Sequence, residues 1–209
     1  MTSPLVTVLT DRARAAAAGR SVAEVVAAAL AGGAGRIVLR ERDLAPDDRR
    51  ALAGDLRALT AAAGAVMVVA GDVALARDVG ADGVHLAAAD PWPGPAAQGG
   101  LVVGRSCHAL ADLKGAEAAG AAWATYSPVY TTASKPGYGP ALGPAGLAAG
   151  CRAVPGLAVL ALGGVAPGRA AACRAAGAAG VAVMGAVMGA PDPDVLVATL
   201  VAELREAAA

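Results

Sequence analysis

The chain has 209 residues, a length that predicts one domain with a sizeable core rather than two cramped ones. Seventeen Lys and Arg balance seventeen Asp and Glu, so no basic surface for nucleic acid is expected. Apolar residues at 56% against 16% charged exclude disorder, and the absence of Phe predicts an aliphatic, Ala-rich core.

The first apolar run, from Leu5 to Leu9, has no basic residue before it, which reads as a first strand rather than a signal peptide. Short β-branched runs then alternate with longer Ala/Leu/Arg segments. Leu5 to Leu9, Arg36 to Arg40, Val66 to Val69, Gly83 to Leu86, Leu101 to Gly104, Trp123 to Tyr126, Ala158 to Leu162 and Gly180 to Val183 read as eight buried parallel strands. Helices are expected near 21–33, 46–63, 73–79, 109–119, 144–152, 167–176 and 193–206. Their start signals include Ser21 with Glu24 in capping-box register and Pro46 followed by Asp47 and Asp48. Residues 87–100, with Pro91, Pro93 and Pro95, read as a loop with at most one helical turn.

Eight strand–helix units predict an α/β fold, a small (β/α)8 barrel forming one domain over 1–209. No apolar run reaches the ~18 residues of a membrane span, so no membrane partner is expected. Cys107, Cys151 and Cys173 are odd in number and share no C-x-x-C spacing, which argues against disulfides or zinc and for a reducing cytoplasm. The oligomeric state is open, and a homo-oligomer is compatible with the sequence.

Barrels place their ligands over the C-terminal strand ends, so polar residues and glycines just after each strand are the candidates. Here they form a set of cations, one imidazole and glycine turns suited to an anionic small molecule. Gly163 and Gly164 follow strand seven, and Met184 and Gly185 follow strand eight, where barrels often hold phosphate; the alternative is tight turns without a ligand. Arg40 and Arg42 share one face after strand two, with a rim salt bridge as the competing role for Arg42. Thr132, Ser134 and Lys135 lie in a Gly/Pro-flanked loop that could grip an anion or simply be solvated. Ser106 and His108 follow strand five, and His108 is the candidate proton carrier. His85, inside the apolar end of strand four, reads as a core residue, and Cys107 is not placed as a nucleophile.

Seven blocks, VLTDR (8–12), IVLRERD (37–43), VGADGVHL (79–86), VGRSCHAL (103–110), SPVYTTASKPGYG (127–139), ALGGV (161–165) and AGAAGVAVMGAVM (176–188), resemble the thiamine phosphate synthase and TenI superfamily. The resemblance implies the same small barrel. Its synthase branch joins a pyrimidine pyrophosphate to a thiazole phosphate and holds Mg²⁺ through an Asn-Asp pair after strand three and an Asp after strand four. The pair falls on Ala70 and Gly71, the later Asp on Asp90, and the branch's Gln and Lys around the strand-two Arg fall on Val38 and Arg42.

With R-E-R after strand two, Gly at a metal position and G-R-S-x-H after strand five, the chain resembles the TenI branch more. That implies an isomerase, a thiazole tautomerase aromatising a carboxythiazole phosphate without metal or organic cofactor. His108 would shift the proton, Arg40 with Lys135 would hold the carboxylate, and backbone N–H groups near Gly163, Gly164 and Gly185 would hold the phosphate. Two alternatives are a Mg²⁺-dependent synthase and a catalytically silent phosphate-binding barrel acting through a protein partner.

Overall fold

The computed structural model describes residues 4–94, 98–131 and 140–207. Eight parallel strands close into a barrel in chain order: β1 (Val6–Leu9), β2 (Arg36–Leu39), β3 (Val66–Ala70), β4 (Gly83–Leu86), β5 (Val102–Cys107), β6 (Trp123–Tyr126), β7 (Ala158–Leu162) and β8 (Gly180–Val183). This is the expected (β/α)8 barrel. Seven strands fall within one residue of their expected limits. The exception is β5, expected to stop at Gly104 but continuing to Cys107. Gly104 is no terminator: a Cβ there would lie 2.0 Å from Cε2 of Trp123, so the position is bare because the indole fills the barrel beside it.

Strand alternation builds two cores. On β2, Ile37 and Leu39 join the helix-facing core, whereas Val38 joins Leu9, Val68, Leu160 and Trp123 in the interior. Deeper in the barrel, the Arg36 guanidinium lies 4.1 Å from the Trp123 ring, and burial pushes its pKa down to about 10. The His85 imidazole stacks on the same indole, with ring centroids 6.1 Å apart.

Helices Val22–Ala31, Pro46–Ala62, Val73–Asp78, Leu110–Ala118, Gly143–Ala153, Ala170–Ala175 and Pro193–Glu206 cover the barrel near the expected places. The Ser21 capping box is present: its hydroxyl accepts from the Glu24 N–H at 3.2 Å, and Glu24 Oε2 accepts from the Ser21 N–H at 2.7 Å. Two short helices were not expected. Arg12–Ala17 starts where Asp11 Oδ1 accepts from the Arg14 N–H at 3.1 Å, and Gly185–Met188 follows β8. No helix among the described residues is long and apolar enough to cross a membrane.

Candidate active site

A cavity of about 580 Å³ opens at the C-terminal strand ends. Of the residues singled out in the sequence, Arg40, Arg42, Ser106, His108, Gly163, Gly164, Met184 and Gly185 line it. Thr132, Ser134 and Lys135 lie outside the described residues. Arg14 and His85 also line the cavity, and sequence reasoning gave neither a role there. The DRAR segment carried the missed signal for Arg14: Asp11 caps a helical turn that turns the arginine back over the mouth.

After β2, the two arginines leave the strand on the same face and diverge. Arg40 reaches β8, where its Nη1 approaches the Met184 sulfur at 2.9 Å, while its backbone N–H donates to Thr10 Oγ1 at 2.9 Å. Arg42 turns toward β4 and donates from Nη2 to Asp90 Oδ2 at 2.6 Å. Glu41, pointing away, is buried and accepts from the Arg12 N–H at 3.2 Å. The rim salt bridge of Arg42 therefore exists, yet the guanidinium still lines the cavity.

The Asp90 loop is fixed from three sides. Asp90 Oδ2 accepts from the Ala87 N–H at 2.8 Å, and Arg105 donates to the carbonyls of Asp90 and Ala88 at 2.7 and 2.6 Å. Partial burial works to raise the Asp90 pKa, but Arg42, the Ala87 N–H and Arg105 outweigh it and hold the carboxyl below its ordinary value.

His85 is 5% exposed and forms the cavity floor, with Nε2 2.9 Å from Ser106 Oγ. Burial, reinforced by Arg36 and Arg42, lowers its pKa to about 4, so the ring is neutral at neutral pH. It is both a core residue and a wall of the site. The His108 ring stands beside Ser127, with Nδ1 3.1 Å from the carbonyl oxygen. Asp112 Oδ2 accepts from the backbone N–H groups of His108 and Ala109 at 2.8 and 2.9 Å, anchoring the turn that presents the ring. Cys107 points into the outer core, and burial pushes its thiol up to about 12, which removes it as a nucleophile.

The glycine turns have a packing reason as well as a chemical one. Gly163 and Gly164 have φ of 96° and 63°, and a Cβ at 164 would lie 2.5 Å from the Thr131 carbonyl oxygen. The segment after β6 docks on this turn through N–H bonds from Val129 and Tyr130 to the carbonyls of Leu162 and Gly163, both 2.9 Å. At Gly185, the Arg14 guanidinium would lie 3.4 Å from an added Cβ, so a cation stands against the second turn.

The family's Mg²⁺ does not fit these residues. Asp72, next to the vacated pair, caps the helix Val73–Asp78 through its Oδ1 at 2.9 Å and pairs with Arg49 through its Oδ2 at 3.0 Å. Arg49 also donates to the Ala70 carbonyl at 2.7 Å, which holds this corner in place. A side chain at 71 would collide with Arg42, its Cβ only 1.9 Å from Nη2. Among the described residues no group of three or more His, Cys, Asp or Glu side chains could hold a metal ion.

The architecture is that of a (β/α)8 barrel with a cavity over the C-terminal strand ends. Residues 6–187 match the thiamine monophosphate synthase family, and the chain belongs to that family. It is 41% identical over 200 residues to a thiamine-phosphate synthase of Roseiflexus castenholzii, covering 91% of this chain and 83% of the relative. To a thiamine-phosphate synthase of Moorella thermoacetica it is 38% identical over 192 residues, covering 90% and 89%. The fold superimposes on a thiamine phosphate pyrophosphorylase from Pyrococcus furiosus with a TM-score of 0.87 at 28% identity, covering 100% of this chain and 98% of that one.

These relatives overturn the tautomerase expectation. At about 40% identity they carry the synthase name, a transferase and not an isomerase, so the TenI-branch assignment is corrected. The misreading follows from the empty Ala70–Gly71 pair, whose Gly at a metal position weighed toward the TenI branch.

Proposed function

We propose that the protein is a thiamine-phosphate synthase, joining a pyrimidine diphosphate to a thiazole phosphate with release of diphosphate. The observation that carries this reading is that cations and glycine turns suited to anions line one cavity at two places. Arg42 stands on the β4 side, the Gly163–Gly164 and Gly185 turns with Arg14 stand on the β7–β8 side, and Arg40 reaches from β2 to Met184 between them. A condensation of two phosphorylated substrates needs two such places, and the names of the relatives support the same reaction.

In this mechanism the arginines hold the diphosphate and stabilise the charge that grows on the leaving oxygen as its bond to the pyrimidine carbon breaks. The glycine turns and Arg14 hold the thiazole phosphate, so its ring can form the new bond to that carbon within the cavity. Leu9, Val38 and Leu162 give the rings an apolar wall, and the neutral His85–Ser106 pair provides a polar but uncharged floor. No proton has to cross the site, so His108 serves as a wall and hydrogen-bonding group rather than a shuttle.

The test is direct incubation of the purified protein with both substrates, following thiamine phosphate and diphosphate together. Equal amounts of the two products are expected. Their absence at protein concentrations comparable with substrate would overturn the reading. Arg40→Ala is expected to raise the KM for the diphosphate substrate about tenfold or more, with a smaller effect on the thiazole phosphate.

A further inference from the structure

Three residues distant in sequence meet at one point of the rim. Arg42 comes from the end of β2, Gly71 from the turn after β3 and Asp90 from the loop after β4. The Arg42 guanidinium lies against Gly71, whose imagined Cβ would be 1.9 Å from Nη2 and 2.3 Å from Cζ. Gly71 has φ of 67°, and only a residue without a side chain leaves this space open. Asp90 holds the same guanidinium through Nη2 at 2.6 Å, and this is the one hydrogen bond Arg42 makes among the described residues. The remaining N–H groups of the fork have no partner among the described residues, and Arg42 lines the cavity.

We propose that this seated guanidinium does the work of the family's divalent cation: Arg42, on Gly71 and tethered by Asp90, forms with Arg40 a diphosphate subsite that needs no metal ion. That the diphosphate belongs to a substrate rests on the synthase reading above. The subsite itself rests on the geometry.

The chemistry favours the substitution. A guanidinium presents paired N–H donors at the spacing of two phosphate oxygens and keeps its charge at every physiological pH. Arg42 holds its charge on the β4 side of the cavity and Arg40 on the β8 side, and both line it. Asp90, which would be a lone and inadequate metal ligand, instead fixes the orientation of the fork, and Arg105 fixes the loop that carries Asp90. A side chain at 71 and the present position of Arg42 cannot share the space, so the forked end of Arg42 sits where the metal-binding side chain of the family would stand.

The experiment is calorimetric titration of the intact protein with inorganic pyrophosphate, first with chelator to remove divalent ions and then with excess Mg²⁺. Binding is expected in chelator, with no tightening by Mg²⁺. Arg42→Ala should weaken it about tenfold or more, while Arg42→Lys, which keeps the charge but loses the fork, should fall between. Circular dichroism on each variant separates lost binding from lost folding. Pyrophosphate binding that requires Mg²⁺, that is absent in both buffers or that is unchanged in folded Arg42→Ala would overturn the proposal. Metal-free pyrophosphate binding without thiamine phosphate formation would count against the synthase reading alone. Condensation that proceeds with Mg²⁺-dependent pyrophosphate binding would count against the Arg42 subsite alone.

Discussion

His85 shows how one side chain can belong to the core and to the site. Its ring is stacked on Trp123, bonded to Ser106 and kept neutral, so protonating it requires a charge in the barrel interior. The folded-state pKa of about 4 lies below the ordinary 6.5, so the unfolded chain binds the proton first as pH falls. The stability supplied by neutral His85 is complete above pH 6.5 and is lost toward pH 4, by up to about 3 kcal/mol. Urea denaturation between pH 7 and 5 should show this slope in the wild type and a flatter one in His85→Gln. Equal slopes would mean that the ring is not buried as described. From the sequence, an apolar strand pointed to the core reading of His85, and alternation could not say that the inward face ends at a cavity floor.

At the scale of elements, strand positions were legible because buried parallel strands are short β-branched runs, and seven of eight fell in place. What failed depended on contacts across the barrel. The extent of β5 was missed because Gly104 looks like a strand end until Trp123 is seen beside it. The helix Arg12–Ala17 was hidden in an Ala-rich stretch with no apolar periodicity. Gly104→Ala should cost about 1–3 kcal/mol by overpacking against the indole, and the cost should shrink in a Trp123→Leu background. Thermal melts of the four proteins check the coupling, and additive losses would contradict it. At the surface, Ser21→Ala removes one capping-box acceptor and should cost about 1 kcal/mol by the same measurement.

For the whole molecule, barrel and family were readable from the chain, while the reaction was misread. Ala70 and Gly71 are a local loss that any inspection of the sequence finds. The contact of Arg42 with Gly71 and Asp90 links three distant positions through space, and no spacing rule connects them. The anion-binding ends proposed at its mouth should also stabilise the barrel when an anion fills them. Inorganic phosphate at about 100 times its Kd should add about 2.7 kcal/mol and raise Tm by roughly 5 °C or more. A melting point indifferent to phosphate would argue against the anion-binding ends.

The indole that fills the barrel has an optical consequence. The chain has two tryptophans in very different settings: Trp123, 1% exposed beneath the cavity floor, and Trp92, half-buried on Val84, Leu86 and Val103, two residues beyond Asp90. Iodide in solution can reach only the second. Emission from Trp92 therefore serves as a label-free reporter at the Arg42–Asp90 corner, with the shielded Trp123 as an internal reference in the same spectrum.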